Sequence, residues 1–412
     1  MPTLLSINNY FYYRGGAETV FLEHNRLFGE LGWTVAPFSM QHPKNLPTPW
    51  SRYFVEEIEF GATYSWQEKL RRIPKTLYSF EARAKLAQLL EHLQSADIAH
   101  GHNLYHHLSP SILSLLKKRG IPTVLTLHDL KLACPAYNML THDGVCERCR
   151  GGRLYNVVVH KCIKDSTALS ALVMSEAVLH RLLGSYRRNV SRFIVPSLFY
   201  LEKFCEWGMP RALFRHVPNF VSVENYRPEY PPGSTFVYVG RLSREKGVAT
   251  LIRAAALASC RLIVVGTGPA QSELGVLATQ LGADVVFAGY LRGEELHAAV
   301  RGARALVLPS ECYENAPMSV LEAYALGKPV IGASIGGIPE LIRPNETGLT
   351  FRSGDAQSLA DALRQLASHS DDTIEAMGRR GRRWVEESFS AALYRERILS
   401  VYNELGVPGA AA

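Results

Sequence analysis

Short apolar runs of about four to seven residues, each ending in glycine or polar residues and followed by a helical pattern, recur along most of this chain. Thr3–Ile7, Thr34–Met40, Ala96–His100, Thr123–Leu127 and Arg192–Val195 stand in the first half. Phe236–Val239, Leu262–Val265, Val285–Phe287, Ala305–Leu308 and Val330–Ala333 stand in the second. A run with no polar alternation suits a strand buried on both faces, and strands alternating with helices suit a parallel sheet covered on both sides. Between the halves, VPNFVSVENYRPEYPPGS carries four prolines and breaks every periodicity. With 412 residues, too many for one ordinary core, the chain reads as α/β with two doubly wound domains, residues 1–224 and 235–384.

In open parallel sheets ligands sit where strands end and helices begin, because free backbone N–H groups and the positive helix end point there. The stretch PSECYENAPMSVLEAYALGKP follows the run Ala305–Leu308 and leads into a helix closed by Gly327, which puts Glu314 in the loop and Glu322 on the helix. Two carboxylates cannot contact phosphate without a cation between them, so their use at an anion site is to accept hydrogen bonds from hydroxyl groups. A polyhydroxylated phosphate ester fits that mixture. An isolated glutamate pair is more often a solvated loop charge and a solvated helix charge. A second junction, GRLSREKG after Phe236–Val239, offers Arg241 and Lys246 as cations for a diphosphate.

Here the sequence resembles a known family. The glutamate pair with seven residues between, the following EAYALGKPVI and GASIGGIPELIRPNETGL, and the loop GRLSREKG are similar to those of the retaining nucleotide-sugar glycosyltransferases of family 4. That resemblance implies the GT-B fold, two Rossmann-like domains facing a cleft, with a helix over 385–406 crossing back to the first domain. It implies that Arg241 and Lys246 grip the donor diphosphate, that Glu322 takes the ribose hydroxyls, and that Glu314 with the backbone of Asn315, Ala316, Pro317, Met318 and Ser319 addresses the sugar. Gly268 and Tyr290 would lie on the donor side, Tyr290 near the base. YYRGGAETV resembles the N-terminal glycine loop, with Gly15 and Gly16 facing the cleft, and TLHD after a strand places His128 at the reacting centre. His102, Asn103 and Asp129 would line the acceptor side. No D-x-D motif is present, so the expectation is catalysis without a metal cofactor, with side chains and helix ends neutralising the diphosphate. The resemblance implies transfer of a sugar to a hydroxyl of a glycan or lipid-linked glycan in cell-surface polysaccharide or glycoconjugate assembly. Epimerisation or hydrolysis of a sugar nucleotide on the same fold is the alternative.

Four of the seven cysteines, Cys134, Cys146, Cys149 and Cys162, fall within an insertion at 130–165 with the spacing C-x11-C-x2-C-x12-C. Four thiolates suit a structural zinc, while a redox pair at Cys146 and Cys149 or four unlinked thiols are the other readings.

Net charge of +7 and a pI near 9.0 favour anionic partners. A basic zinc-containing nucleic-acid binder is the rival from another class, but the chain lacks a second C-x2-C pair and a recognisable nucleic-acid module, so no nucleic-acid partner is expected. Lys69, Arg71, Arg72, Lys75, Arg83 and Lys85, interleaved with Trp66, Leu70 and Ile73, read either as a surface helix or as a basic amphipathic segment for a membrane surface. With no apolar run of membrane-spanning length and no basic region or long apolar core at the N-terminus, a cytoplasmic protein, peripheral on the inner face of the membrane, is expected.

Overall fold

The computed structural model describes residues 1–57, 75, 77–105, 107–407 and 409. The apolar runs form two six-stranded sheets in which every pairing is parallel. The first holds β1 (Thr3–Ile7), β2 (Thr34–Phe38), β3 (Ile98–Gly101), β4 (Thr123–Thr126), β7 (Arg192–Val195) and β8 (Phe214–His216) in the order β2-β1-β3-β4-β7-β8. Between β4 and β7 lies a two-residue-strand hairpin, β5 (Leu140–Thr141) and β6 (Gly144–Val145). The second sheet holds β9 (Phe236–Val239), β10 (Leu262–Val265), β11 (Val285–Gly289), β12 (Ala305–Leu308), β13 (Val330–Ala333) and β14 (Gly348–Phe351) in the order β11-β10-β9-β12-β13-β14.

Each order reverses once, between β1 and β3 in the first sheet and between β9 and β12 in the second. Loops leaving the two strands at such a point part to opposite sides and open a crevice at the carboxyl edge. That places the loops after β1 and β3 at one crevice, and the loops after β9 and β12 at the other.

Six of the helices start where a hydroxyl or carboxylate takes a free N–H. Ser79, Ser166, Ser197, Asp355, Ser370 and Ser390 each accept from the backbone N–H three residues on. One helix was expected over 385–406, and two are found, Asp371–Ser388 and Ala391–Asn403. The break has two causes. Phe389 O accepts from Val221 N at 3.0 Å, turning the chain against the interdomain segment, and Ser390 then caps a new helix. That last helix buries Tyr394, Ile398, Val401 and Tyr402 on the first sheet with Leu4, Ile98, Val124 and Ile194. The C-terminus thus completes the core of the N-terminal half. Part of the C-terminal arginine cluster is structural, since Arg382 donates to Tyr226 O and Ala325 O. Most of the basic amphipathic stretch, including Trp66, Lys69, Leu70, Arg71, Arg72 and Ile73, lies outside the described residues. Among the described residues no helix is long and apolar enough to cross a membrane.

Candidate active site

In the second sheet the crevice is built from two loops in direct contact. Gly247 closes the loop after β9 at φ +67, and a Cβ there would stand 1.9 Å from Pro309 O of the loop after β12. The two loops can approach only with glycine at that position. The approach brings Lys246 Nζ within 2.6 Å of Glu314 Oε1, which also accepts from Ser310 Oγ at 2.7 Å. Burial lowers the Lys246 pKa, but Glu314 beside it, together with Cys312 and Glu245, outweighs that, so the ammonium is held above its ordinary range. Arg241 is exposed at the mouth of the same loop and makes no ion pair among the described residues. A charged lysine backed by a carboxylate, with an exposed arginine nearby, can take a phosphate on one side and hydroxyls on the other.

Gly336 and Gly337, quoted above without a role, press on the Glu314 loop from behind. Gly337 N donates to Glu314 O at 2.8 Å, and a Cβ at Gly337 would meet Asn315 O at 2.0 Å. The Asn315 side chain is committed to the first domain, donating to Leu127 O at 2.9 Å and accepting from Ser197 Oγ at 2.7 Å. Asn219 holds Ala316 O at 2.8 Å. Pro317 precedes a helix over Met318–Ala325, whose first residue faces the glycine loop of the other domain, a Cβ at Gly16 lying 3.4 Å from Met318 Cγ. Ser319 follows on the same first turn, and Gly15 adjoins Gly16 with Glu18 beside it. Glu322, partly buried, accepts from the Tyr226 hydroxyl, and burial raises its carboxyl. Gly268 packs its backbone on Leu242, and Tyr290 follows edge strand β11, 72% exposed.

The crevice of the first sheet opens into a cavity of about 390 Å³ lined by Asn103 and Asp129, two of the residues named for the acceptor side, and by Tyr10, Arg14, Glu18 and Tyr105. These last four were not anticipated. Arg14 and Glu18 flank the glycine pair in YYRGGAETV, so the signal was present in a stretch read only for its glycines. Glu18 is 6% exposed and its carboxyl is raised by burial.

His102 does not line the cavity; it is buried behind His128. His102 Nδ1 and His128 Nε2 are 2.8 Å apart, and the two rings stack. The stack continues to His100, whose Nδ1 meets Tyr402 Oη at 2.6 Å, and His24 bonds Tyr394 Oη at 3.0 Å. His100 and His102 alternate onto one face of a short strand that the C-terminal helix covers, which is why the second of them turns inward. Burial pushes His128 down to about 4 and Asp129 up to about 6, and holds His24, His100 and His102 well below the ordinary imidazole range.

The sign of the consequence follows from linkage. A histidine held neutral in the folded chain but protonated in the unfolded one costs about 1.4 kcal/mol of stability per pH unit below about 6.5. Raised carboxyls at Asp129, Glu18 and Glu322 act in the opposite sense below about pH 6. Burial also lowers His216 and His297, so six histidines stand against three raised carboxyls, three of the six well below their ordinary range, and the histidines win. The thermal midpoint is expected to fall steeply between pH 6.5 and pH 5 in a denaturation series; a flat profile there would refute a neutral histidine column.

The four cysteines of the insertion stand around a small common cavity. Burial pushes the Cys149 thiol up to about 12 and the Cys162 thiol up to about 11.

The profile described as Glycosyltransferase Family 4 matches residues 14–225, and the one described as Glycosyl transferases group 1 matches residues 226–384. A GDP-mannose-dependent monoacylated alpha-(1-6)-phosphatidylinositol monomannoside mannosyltransferase of Corynebacterium glutamicum is 31% identical over 232 residues, 50% of this chain and 60% of that protein. The sulfoquinovosyl transferase SQD2 of Arabidopsis thaliana is 34% identical over 178 residues, 42% of this chain and 34% of that protein. The chain thus spans between a third and three fifths of these relatives' length. Among solved structures, a sucrose-phosphate synthase from Thermosynechococcus elongatus superposes with TM-score 0.73 at 20% identity over 98% of this chain and 99% of that one. Anabaena HepE in complex with UDP and glucose gives 0.66 at 16% over 98% of this chain and 100% of that one. At these identities the likeness is one of fold, the GT-B arrangement of two Rossmann-like domains.

Proposed function

This chain belongs to glycosyltransferase family 4, and from that premise we propose that it transfers a sugar from a nucleotide-sugar donor to an acceptor hydroxyl, with retention at the anomeric carbon. The observation that carries the reading is the Lys246–Glu314 pair at 2.6 Å, in the crevice of the second sheet, with the Gly16 loop of the first domain closing against Met318. Lys246 and Arg241 neutralise the diphosphate as it departs, which is where negative charge grows in the transition state. Glu314 orients Lys246 and takes a sugar hydroxyl, Glu322 takes the ribose, and His128, neutral at physiological pH, faces the sugar with an imidazole that carries no charge. Retention rests on the family resemblance.

Transfer is favoured over epimerisation or hydrolysis by the cavity of about 390 Å³ in the facing domain, which gives an acceptor a place to sit. Arg14, Glu18, Asn103 and Asp129 supply it with hydrogen-bonding groups suited to a glycan. The relative named for phosphatidylinositol mannoside supports a glycan or lipid-linked acceptor in cell-surface assembly. A cytoplasmic location, peripheral at the inner face of the membrane, fits an acceptor of that kind and the basic balance of +7.

A thermal-shift panel of UDP-, GDP-, ADP- and dTDP-sugars is the direct test. One donor is expected to stabilise the wild type and to lose that effect in Lys246→Ala, by the stabilisation that a ligand of the folded state confers. Equal shifts in both proteins would refute the donor site. Product analysis with no acceptor present separates transfer from epimerisation and hydrolysis.

A further inference from the structure

Residues 130–165 have little regular structure to hold them. They contain the hairpin β5–β6, a three-residue 3-10 turn at Arg150–Gly152 and a four-residue helix at Asn156–Val159. Five of the nine described non-glycine residues at positive φ fall here, namely Tyr137, Met139, Lys161, Lys164 and Asp165. Backbone of that kind persists only where its surroundings fix it. Its buried apolar residues besides cysteine, Leu130, Ala133, Ala136, Met139, Leu154 and Val157, join the core of the first domain, and only three of them lie beyond residue 136.

At its centre is a cavity of about 10 Å³, room for one small ion, walled by Cys134, Cys146, Cys149 and Cys162. All four are free thiols. They come from three separate stretches of the chain, one of which supplies a C-x2-C pair. Soft sulfur ligands in fours select a tetrahedral thiophilic cation such as Zn²⁺. Arg148 beside Cys162, and Arg181 beside Cys134 and Cys149, offset part of the negative charge that four thiolates and a dication leave over.

One other cluster among the described residues competes. His24, His100 and His102 bring three nitrogens within 4.8 Å of one another, closer than the four sulfurs, which stand back around their cavity and must rotate inward to reach an ion. The histidines are nevertheless the poorer site. Both nitrogens of His24 and of His100 already have hydrogen-bond partners, and the trio brings no negative charge to a dication in an apolar core.

We propose that the four cysteines bind one Zn²⁺, each thiol giving up its proton to solvent as its Zn–S bond forms, and that the ion holds a wall shared by the two binding sites. Pro135, Ala136, Asn138, Ile163 and Lys164, each beside or between the cysteines, line the cavity of the first domain. On its other side His142 O accepts from Arg244 of the loop after β9 at 2.5 Å, and Glu147 accepts from Tyr313 Oη, next to Glu314, at 3.0 Å. The ion therefore sets the position of the acceptor wall and of its contacts with the donor loops. That consequence rests on the transferase reading; the binding of metal does not.

The test uses the full chain purified without chelator. Elemental analysis is expected to find one zinc per chain in the wild type and in Cys260→Ser, and none in Cys146→Ser/Cys149→Ser. Because the double variant can fail to fold, wild-type protein stripped by chelator is also titrated with Co²⁺ alone. A thiolate-to-cobalt charge-transfer band saturating at one equivalent is expected, together with new protease cleavage inside 130–165 in the stripped chain that Zn²⁺ reverses. Absence of both zinc and the cobalt band, metal retained by the double variant, or disulfides among the four cysteines by mass would each overturn the proposal. A zinc-bound chain with no donor turnover leaves the metal site standing and removes the transferase reading; a metal-free chain with full turnover does the reverse.

Discussion

Lys246→Ala is expected to lower kcat/KM for donor turnover by about 10²- to 10³-fold, the range seen when one preorganised charge or donor is removed from the place where transition-state charge develops. Lys246 is fixed from three directions. Its loop is closed by Gly247 against Pro309, its ammonium is bonded to Glu314, and the Glu314 carboxylate is in turn held by Ser310. The side chains of Lys246 and Glu314 are 28% and 15% exposed, so the pair is neither a solvated surface bridge nor wholly dry. Removing the lysine leaves Glu314 facing the diphosphate site without a counter-charge, which adds repulsion to the loss of attraction. A steady-state assay with the donor found by thermal shift reads the effect, and the unliganded melting temperature separates it from unfolding. Lys246→Arg, which keeps the charge, is expected to recover part of the loss. Near-normal turnover in Lys246→Ala would remove the donor-site assignment.

Gly337→Ala is expected to lower kcat by about 10- to 100-fold in a chain that still folds. Gly337 has φ −85, open to alanine, so the substitution carries no backbone strain of its own. The cost is contact: the added Cβ would stand 2.0 Å from Asn315 O and 2.8 Å from Ser197 Cβ. Asn315 follows Glu314, and Ser197 belongs to the first domain, so the methyl displaces the glutamate loop and the domain facing it at once. A shift of about 1 Å at a reacting centre costs on the order of 10² in rate, and crowding of a packed site costs about 1–3 kcal/mol of stability. Donor affinity through Lys246 and Arg241 is expected to change less than kcat, because the diphosphate loop lies on the other side of the crevice. If kcat stays at the wild-type value while the melting temperature drops, Gly337 is only a packing residue and the clamp has no catalytic consequence.

The strands and most helices could be read from the chain because parallel strands buried on both faces are largely apolar and helical periodicity follows them, with serine or aspartate caps marking six of the helix starts. The C-terminal helix pair was misread. Trp384, Phe389, Tyr394 and Leu399 keep a loosely helical spacing, and nothing local shows that Val221 will capture Phe389 O. Lys246 and Glu314 were each recognisable from their own motif. The family resemblance placed them at one donor site, but their contact was not legible, since 68 residues separate them and only the strand order β9-β12 makes their loops neighbours. Gly336 and Gly337 stood in a quoted motif with no visible reason, because their partners Glu314 and Asn315 sit on another loop.

The histidines show the division most sharply. His24, the pair His100 and His102, and His128 lie on three separate stretches of sequence, and only the pair is related by a spacing, the two-residue period of a strand. Side-chain chemistry and local periodicity are written residue by residue, so the sequence alone determined which residues carry charge, where strands and helices form, and that the chain divides at its prolines. Which groups meet depends on long-range strand pairing and on the last helix folding back over the first sheet. Tertiary structure alone therefore decided that His102 stands behind His128, that Arg14 and Glu18 line a cavity, and that the lysine and the glutamate share one hydrogen bond.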